Sequence, residues 1–312
     1  MSQPMIQTKE LSKYYGEIKA VDRLNLTVYE GEIFGLLGPN GSGKTTTFLT
    51  LMGLTVPTSG TATVGGYDVI KESRKIRKIA SMLPEGAGYY EDLTARQNLN
   101  YICQLNDIPK LEREKMIKDL LEAVGLADSA DMKVEKFSRG MRQRLGIAEV
   151  LIKKPKVALF DEPTIGLDPQ GTKEIREMMF RLNKEQGMTV LLSSHLLYEV
   201  QQTCQRVGII RKGKLIAADT IENLSKKLAD KWKVTVELEL LGASSELIRE
   251  IEGIKGVTSV NQENNKIFVH METDKSKEIS ETVTKHGATI LLMKPKEHSL
   301  DEIFLEYLKE SD

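Results

Sequence analysis

The chain has 312 residues, enough for two domains that each bury a core of their own. Lys and Arg number 44 against 45 Asp and Glu, a formal charge of -1, so no chain-wide positive field draws in nucleic acid or anionic lipid. Two cysteines, Cys103 and Cys204, are too few for a disulfide framework and lack partners at metal-ligand spacing.

The N-terminus has neither the basic flank nor the apolar run of a signal peptide, and no stretch approaches the length of a membrane span. Met5 to Leu11 reads as a strand, and so does the alternation Leu24, Leu26, Val28, with Tyr14, Tyr15 and Gly16 between them. A third strand, Glu32 to Leu37, runs into a glycine-rich loop, and helical character resumes from Thr45 to Leu54.

That loop, Gly38-Pro39-Asn40-Gly41-Ser42-Gly43-Lys44-Thr45 followed by Thr46, fits G-x-x-x-x-G-K-[ST] between a strand and a helix. A triphosphate needs many donors and little side-chain bulk. Glycines let consecutive backbone N–H groups face the phosphates, and the helix start adds its positive end. Lys44 is placed to reach the β- and γ-phosphates of ATP, and the Thr45 hydroxyl to ligate Mg2+.

Further along, Lys156 to Phe160 and Met188 to Ser193 are short apolar runs separated by a helical stretch from Gly171 to Gln186, which predicts a parallel sheet covered by helices. The first of these strands ends in Asp161-Glu162. Asp161 is the expected Mg2+ ligand, and Glu162 the base that orients and deprotonates the attacking water.

Past a polar, Lys-rich connection at 221–232, the pattern changes, and a second domain is expected over 233–312. Val234, Val236, Leu238 and Leu240 alternate, and Leu247, Ile248 and Ile251 follow Ser244 at helical spacing. Ile254 to Val260 and Lys266 to Met271 read as strands around Asn264-Asn265, Ile279 and Val283 mark a helix, and Thr289 to Met293 a last strand. The order β-α-β-β-α-β predicts a small α+β ferredoxin-like fold. A terminal helix is expected after the capping box Ser299 to Glu302. The charge divides at the same place: 34 basic and 29 acidic residues precede Lys233, and 10 basic and 16 acidic follow from it. His270, His286 and His298 are scattered and suggest no metal site.

Three further segments, Phe137-Ser-Arg-Gly-Met-Arg-Gln-Arg144, Thr164-Ile-Gly-Leu-Asp168 and Ser193-Ser-His195, stand in this order around the Asp161 strand. With the phosphate loop they resemble the ATP-binding subunits of ABC transporters over roughly residues 5–220. The resemblance implies an α/β P-loop NTPase domain over 1–220 with a helical subdomain at about 86–155. It also implies a head-to-tail dimer in which Ser138 and Gly140 bind ATP held by the partner chain, while Asp168 reaches across to the opposite site. Tyr15 would stack on adenine, and His195 would contact the γ-phosphate.

Two departures from the family pattern stand out. Phe137, Arg139 and Met141 replace the common residues of the signature Leu-Ser-Gly-Gly-Gln, and neither Arg139 nor Arg142 is assigned a catalytic role. Glu85, in Met82-Leu-Pro-Glu85-Gly, falls where a glutamine is usual and would approach nucleotide and Mg2+ with a carboxylate. These features resemble the branch that pairs with ABC-2 type exporters. A separately encoded membrane-spanning permease is then the expected partner, docking near Tyr89, Tyr90 and Leu93, with the chain peripheral at the cytoplasmic face and no nucleic acid bound. The competing classes are a soluble ABC-type ATPase of translation or DNA repair, whose usual tandem cassettes or long insertions are missing here, and an ATP sensor acting through 233–312.

Overall fold

The computed structural model describes residues 3–229, 234–263 and 266–295. These form two compact units that divide between Ile221 and Glu222. In the first, β1 (Pro4–Tyr15), β2 (Ile18–Leu24) and β3 (Thr27–Tyr29) precede β4 (Ile33–Leu37) and α1 (Lys44–Leu51). Helix α1 stops short of the expected Leu54, because the chain turns at Gly53 with φ +62°. Then come β5 (Ser59–Val64), β6 (Tyr67–Asp68), α2 (Ser73–Ile79) and β7 (Ala80–Leu83). Three helices follow in series: α3 (Ala95–Leu105), α4 (Lys110–Ala123) and α5 (Arg139–Leu151). The unit is completed by β8 (Val157–Asp161), α6 (Pro169–Gln186), β9 (Thr189–Ser194), α7 (Leu197–Thr203), β10 (Arg206–Arg211) and β11 (Lys214–Asp219).

The central sheet has the order β11-β10-β4-β9-β8-β7. Every pair from β10 to β7 is parallel, and β11 closes the edge antiparallel to β10. Strands β4, β8 and β9 are buried at every residue, which is why they read as continuous apolar runs rather than as alternations. The second sheet, β2-β1-β5-β6 with β3 on β1, is antiparallel. Its Ile6, Leu11, Leu24 and Val64 share one core with Phe34, Leu36 and Leu159 of the parallel sheet and Phe48 and Leu51 of α1.

The stretch expected as a bare connection is helical over α8 (Ile221–Ala229). Leu224 is buried, and the exposed pair Glu222 and Lys226 supports the helix at i, i+4 spacing. The second unit contains β12 (Val234–Leu241), α9 (Ser245–Glu252), β13 (Val257–Glu263), β14 (Lys266–Met271), α10 (Ser276–Lys285) and β15 (Thr289–Pro295). Its sheet order is β13-β14-β12-β15, antiparallel throughout, which is the ferredoxin-like arrangement. Leu247 and Ile251 of α9 and Ile279 and Val283 of α10 pack on Val236, Leu238, Val269 and Met271. Strand β13 begins at Val257 rather than Ile254, because Gly256, at φ +101°, turns the chain and Val257 N–H donates to Ile254 O at 2.9 Å. Asn264, Asn265, His298 and the expected terminal helix lie outside the described residues. His270 and His286 are engaged with neighbours rather than bare in solvent: Thr235 Oγ1 lies 2.8 Å from His270 Nδ1, and Glu250 Oε2 lies 2.8 Å from His286 Nε2.

Candidate nucleotide site

Parallel strands deliver their C-terminal loops to one edge of the sheet. Because β9 lies between β4 and β8, Leu36 is in register with Ser193, and Ser193 with Asp161. That register brings the phosphate loop, Ser193 to His195 and Asp161-Glu162 together; Glu85 arrives from the end of β7, the neighbour of β8. The loop, Glu85 and Asp161-Glu162 border a cavity of about 250 Å3 lined by Asn40 to Thr46, Glu85, Asp161 and Glu162, with Ile18, Lys19 and Ala20; Ser193 to His195 do not line it, and His195 reaches it only through Glu162. A larger cleft of about 1410 Å3 between α4 and α6 has no such loop and mixes Lys115, Asp119, Arg181 and Glu185.

The loop closes tightly on its surroundings. Gly43 caps α1 at φ +106°, and a Cβ there would sit 2.1 Å from Ala20 O; a Cβ on Gly38 would sit 2.3 Å from Ile210 O. Lys44 lies 6% exposed, donating to Gly38 O at 2.7 Å and Pro39 O at 3.3 Å. Its ammonium pairs with Glu162 Oε1 at 3.2 Å, and Glu162 Oε2 meets His195 Nδ1 at 2.8 Å. A buried carboxylate is tolerable with those two partners and costly without them. Glu162 itself has φ +50°, a strained value for a residue with a Cβ and one that collects at functional sites.

Asp161 is held by hydroxyls on both oxygens. Thr45 Oγ1 donates to Oδ2 at 2.7 Å and Ser193 Oγ donates to Oδ1 at 2.5 Å, while Ser193 Oγ also accepts from Glu162 N–H at 2.9 Å. Ser193 was not among the expected site residues. Its only sequence signal is a hydroxyl at the end of an apolar strand, and the register that sets it beside Asp161 is a tertiary fact. Ser42 Oγ is buried without a hydrogen-bond partner. An unspent hydroxyl beside a glycine cradle, a lysine and the Thr45–Asp161 oxygen pair fits a polyphosphate with a hard divalent cation.

Other expected residues fall into separate places. Tyr15 is half-exposed under Lys13, whose Nζ lies 4.8 Å from the ring centre, and pairs in register with Ile18 of the cavity wall. Tyr14 instead donates to Asp22 Oδ1 at 2.9 Å, and this hydrogen bond is the main cause holding the Asp22 carboxyl below its usual range. Ser138, Gly140 and Asp168 do not line the cavity. Ser138 Oγ caps α5 by accepting from Met141 N–H at 3.2 Å, and Asp168 Oδ1 caps α6 by accepting from Gly171 N–H at 2.9 Å. The Ser138 hydroxyl proton stays available to an incoming anion.

Arg139 and Arg142, two of the three arginines in the segment Phe137 to Arg144, are engaged with neighbouring loops. Arg139 lays its guanidinium over Gly166, where a Cβ would approach Nη1 to 2.1 Å, and Arg142 pairs with Glu91 at 2.7 Å. Tyr89, expected on a docking surface, is a packing residue: its hydroxyl donates to Arg142 O at 2.8 Å, and burial pushes the phenol above its ordinary range. Tyr90 is exposed, edge-on to Tyr101 with ring centres 5.0 Å apart. Among the described residues no helix is long and apolar enough to cross a membrane.

Comparison with known proteins agrees with this geometry. Residues 21–165 match the ABC transporter family, and residues 221–308 match the C-terminal domain of DrrA1-3-like ATP-binding proteins. The bacitracin transport ATP-binding protein BcrA of Bacillus licheniformis is 36% identical over 312 residues, 97% of either chain. The linearmycin resistance ATP-binding protein LnrL of Bacillus subtilis (strain 168) is 33% identical over 96% of this chain and 97% of its own. A dimeric post-hydrolysis structure of the ATP-binding cassette MJ0796 with ADP and Pi superposes with a TM-score of 0.63 at 27% identity, covering 70% of this chain and 99% of that one. The fold and the site define a P-loop ATPase. The chain belongs to the ATP-binding proteins of the ABC transporter family.

Proposed function

We propose that this ATPase powers export of a compound through a separately encoded membrane-spanning permease, working as a head-to-tail dimer at the cytoplasmic face of the membrane. The observation that carries the reading is the convergence of Lys44, Thr45, Asp161, Glu162 and His195 at one edge of the parallel sheet. The names of the bacitracin and linearmycin relatives favour export of a toxic compound.

In this reading the Gly38 to Thr46 backbone and Lys44 hold the triphosphate, and Tyr15 packs on the base. Thr45 and Asp161 would hold Mg2+, with Glu85 lining the same cavity; when bound, the ion would neutralise charge developing on the phosphates. Glu162 accepts a proton from the attacking water, and its contact with His195 fixes the carboxylate's direction. Ser138, Gly140 and Asp168 serve the nucleotide of the opposing chain. They sit together where α5 and α6 begin, with a Cβ on Gly140 3.8 Å from Leu167, and away from this chain's own cavity. The exposed Tyr90–Tyr101 pair is the surface offered to the permease.

Pull-down of the tagged chain from detergent-solubilised membranes tests the reading. Co-purification of a polytopic membrane protein without RNA is the expected result. Retention of ribosomal RNA, or a chain recovered with no membrane partner, would favour the translation or sensor readings instead.

A further inference from the structure

Between Glu162 and Asp168, the capping residue of α6, runs a short loop, Pro163 to Leu167. Thr164 in this loop is 7% exposed, and its Oγ1 donates a hydrogen bond to Glu199 Oε2 on α7. Glu199 lies four residues beyond His195, as Thr164 lies two beyond Glu162. Two side-chain bonds thus join the same pair of segments: His195 to Glu162 at 2.8 Å, and Glu199 to Thr164.

We infer that Glu199 is a positioning residue for ATP hydrolysis, which acts through Thr164 to fix the Glu162 carboxylate against His195. This rests on the ATPase reading of the site. Several observations favour a positioning role over simple packing. Glu162 sits at a strained φ of +50°, which persists only where its surroundings over-determine the backbone. The loop's own turn bonds, Ile165 N–H to Glu162 O at 3.2 Å and Leu167 N–H to Thr164 O at 3.1 Å, define its shape but do not anchor it to β9 or α7. The Glu199 bond supplies that anchor.

The surroundings leave the loop little room to find another. The space bounded by Pro163, Thr164, Arg176, Ser194, Glu199 and Thr203 is about 10 Å3, no more than one water's worth. A half-buried carboxylate near Glu162 is an odd choice for a mere spacer, since the like charge opposes it; Arg176 and His195 offset that repulsion. The outcome is a clamp with two rungs, one of which carries the chemistry and the other of which sets its geometry. Misplacing a catalytic group by about 1 Å costs on the order of 100-fold in rate, so loss of the second rung should register in turnover.

Steady-state ATP hydrolysis by Thr164→Val, Thr164→Ser, Glu199→Ala and the Thr164→Val/Glu199→Ala double variant tests this, with nucleotide affinity read from a fluorescent ATP analogue and folding from the thermal midpoint. Thr164→Val and Glu199→Ala should each lower kcat by at least about tenfold, with KM and nucleotide affinity unchanged. The double variant should lose no more than either single one, because both break the same bond. Thr164→Ser, which keeps the hydroxyl, should restore turnover.

Parental kcat in Thr164→Val, or losses that multiply in the double variant, would overturn the inference while leaving the ATPase reading intact. If Glu199→Ala fails to fold, the contrast between Thr164→Val and Thr164→Ser still decides. Absence of hydrolysis in the unaltered chain would overturn the inference and the ATPase reading together.

Discussion

One hydroxyl, that of Ser193, is shared by the two acidic residues of the site: it donates to Asp161 and accepts from the backbone of Glu162. All three residues are at most 5% exposed, so water cannot replace the bonds. Ser193→Ala should cost roughly 1–3 kcal/mol of stability and lower kcat more than nucleotide affinity, as denaturant midpoints and steady-state rates will report. Unchanged turnover would mean that Ser193 only fills space. The glycine-rich loop was legible in the sequence, since Gly38 to Thr45 carries its own spacing and context. Ser193, Thr164 and Glu199 were not, because their roles depend on which strand ends are neighbours, and the β4-β9-β8 order is set by packing rather than by chain order.

At the scale of elements, the apolar runs identified β4, β8 and β9, and the change of period near Val234 coincides with the start of β12 and of the β-α-β-β-α-β series. What sequence reading missed is what lacks a strong period. Strand β5 (Ser-Gly-Thr-Ala-Thr-Val) is too polar to announce itself, and α8 looked like a linker because the stretch 221–232 is polar and Lys-rich in sequence.

Helix α5 carries a further feature that its period conceals: burial raises the Glu149 carboxyl to about 7, from an ordinary value of 4.5. The folded state therefore keeps a proton that the unfolded chain releases first, and stability falls as pH rises from about 4.5 to about 7. Glu149→Gln, which is uncharged at every pH, should raise the urea midpoint at pH 8 and leave it unchanged near pH 4. An equal gain at both pH values would show that the effect is not ionic.

For the whole molecule, near-neutrality conceals a cassette of about +5 followed by a C-terminal segment of about -6 beginning at Lys233. The positive part holds the site for a polyanionic nucleotide. The negative part includes the ferredoxin-like unit described over 234–295, which packs a core of its own, and the acidity of the segment opposes contact with an anionic membrane surface. One cavity holds the phosphate loop with Asp161 and Glu162, while Ser138, Gly140 and Asp168 stand apart from it; on the proposed reading one chain carries two half-sites, and a second chain is required to complete either. Sedimentation velocity of Glu162→Gln with saturating Mg-ATP tests that requirement most directly, because the variant keeps the Lys44 and Thr45 contacts for nucleotide and lacks the carboxylate that ends the bound state. The account predicts a stable dimer with ATP and monomer without it, and turnover reduced to background. A variant that binds ATP tightly and still sediments only as monomer would contradict it.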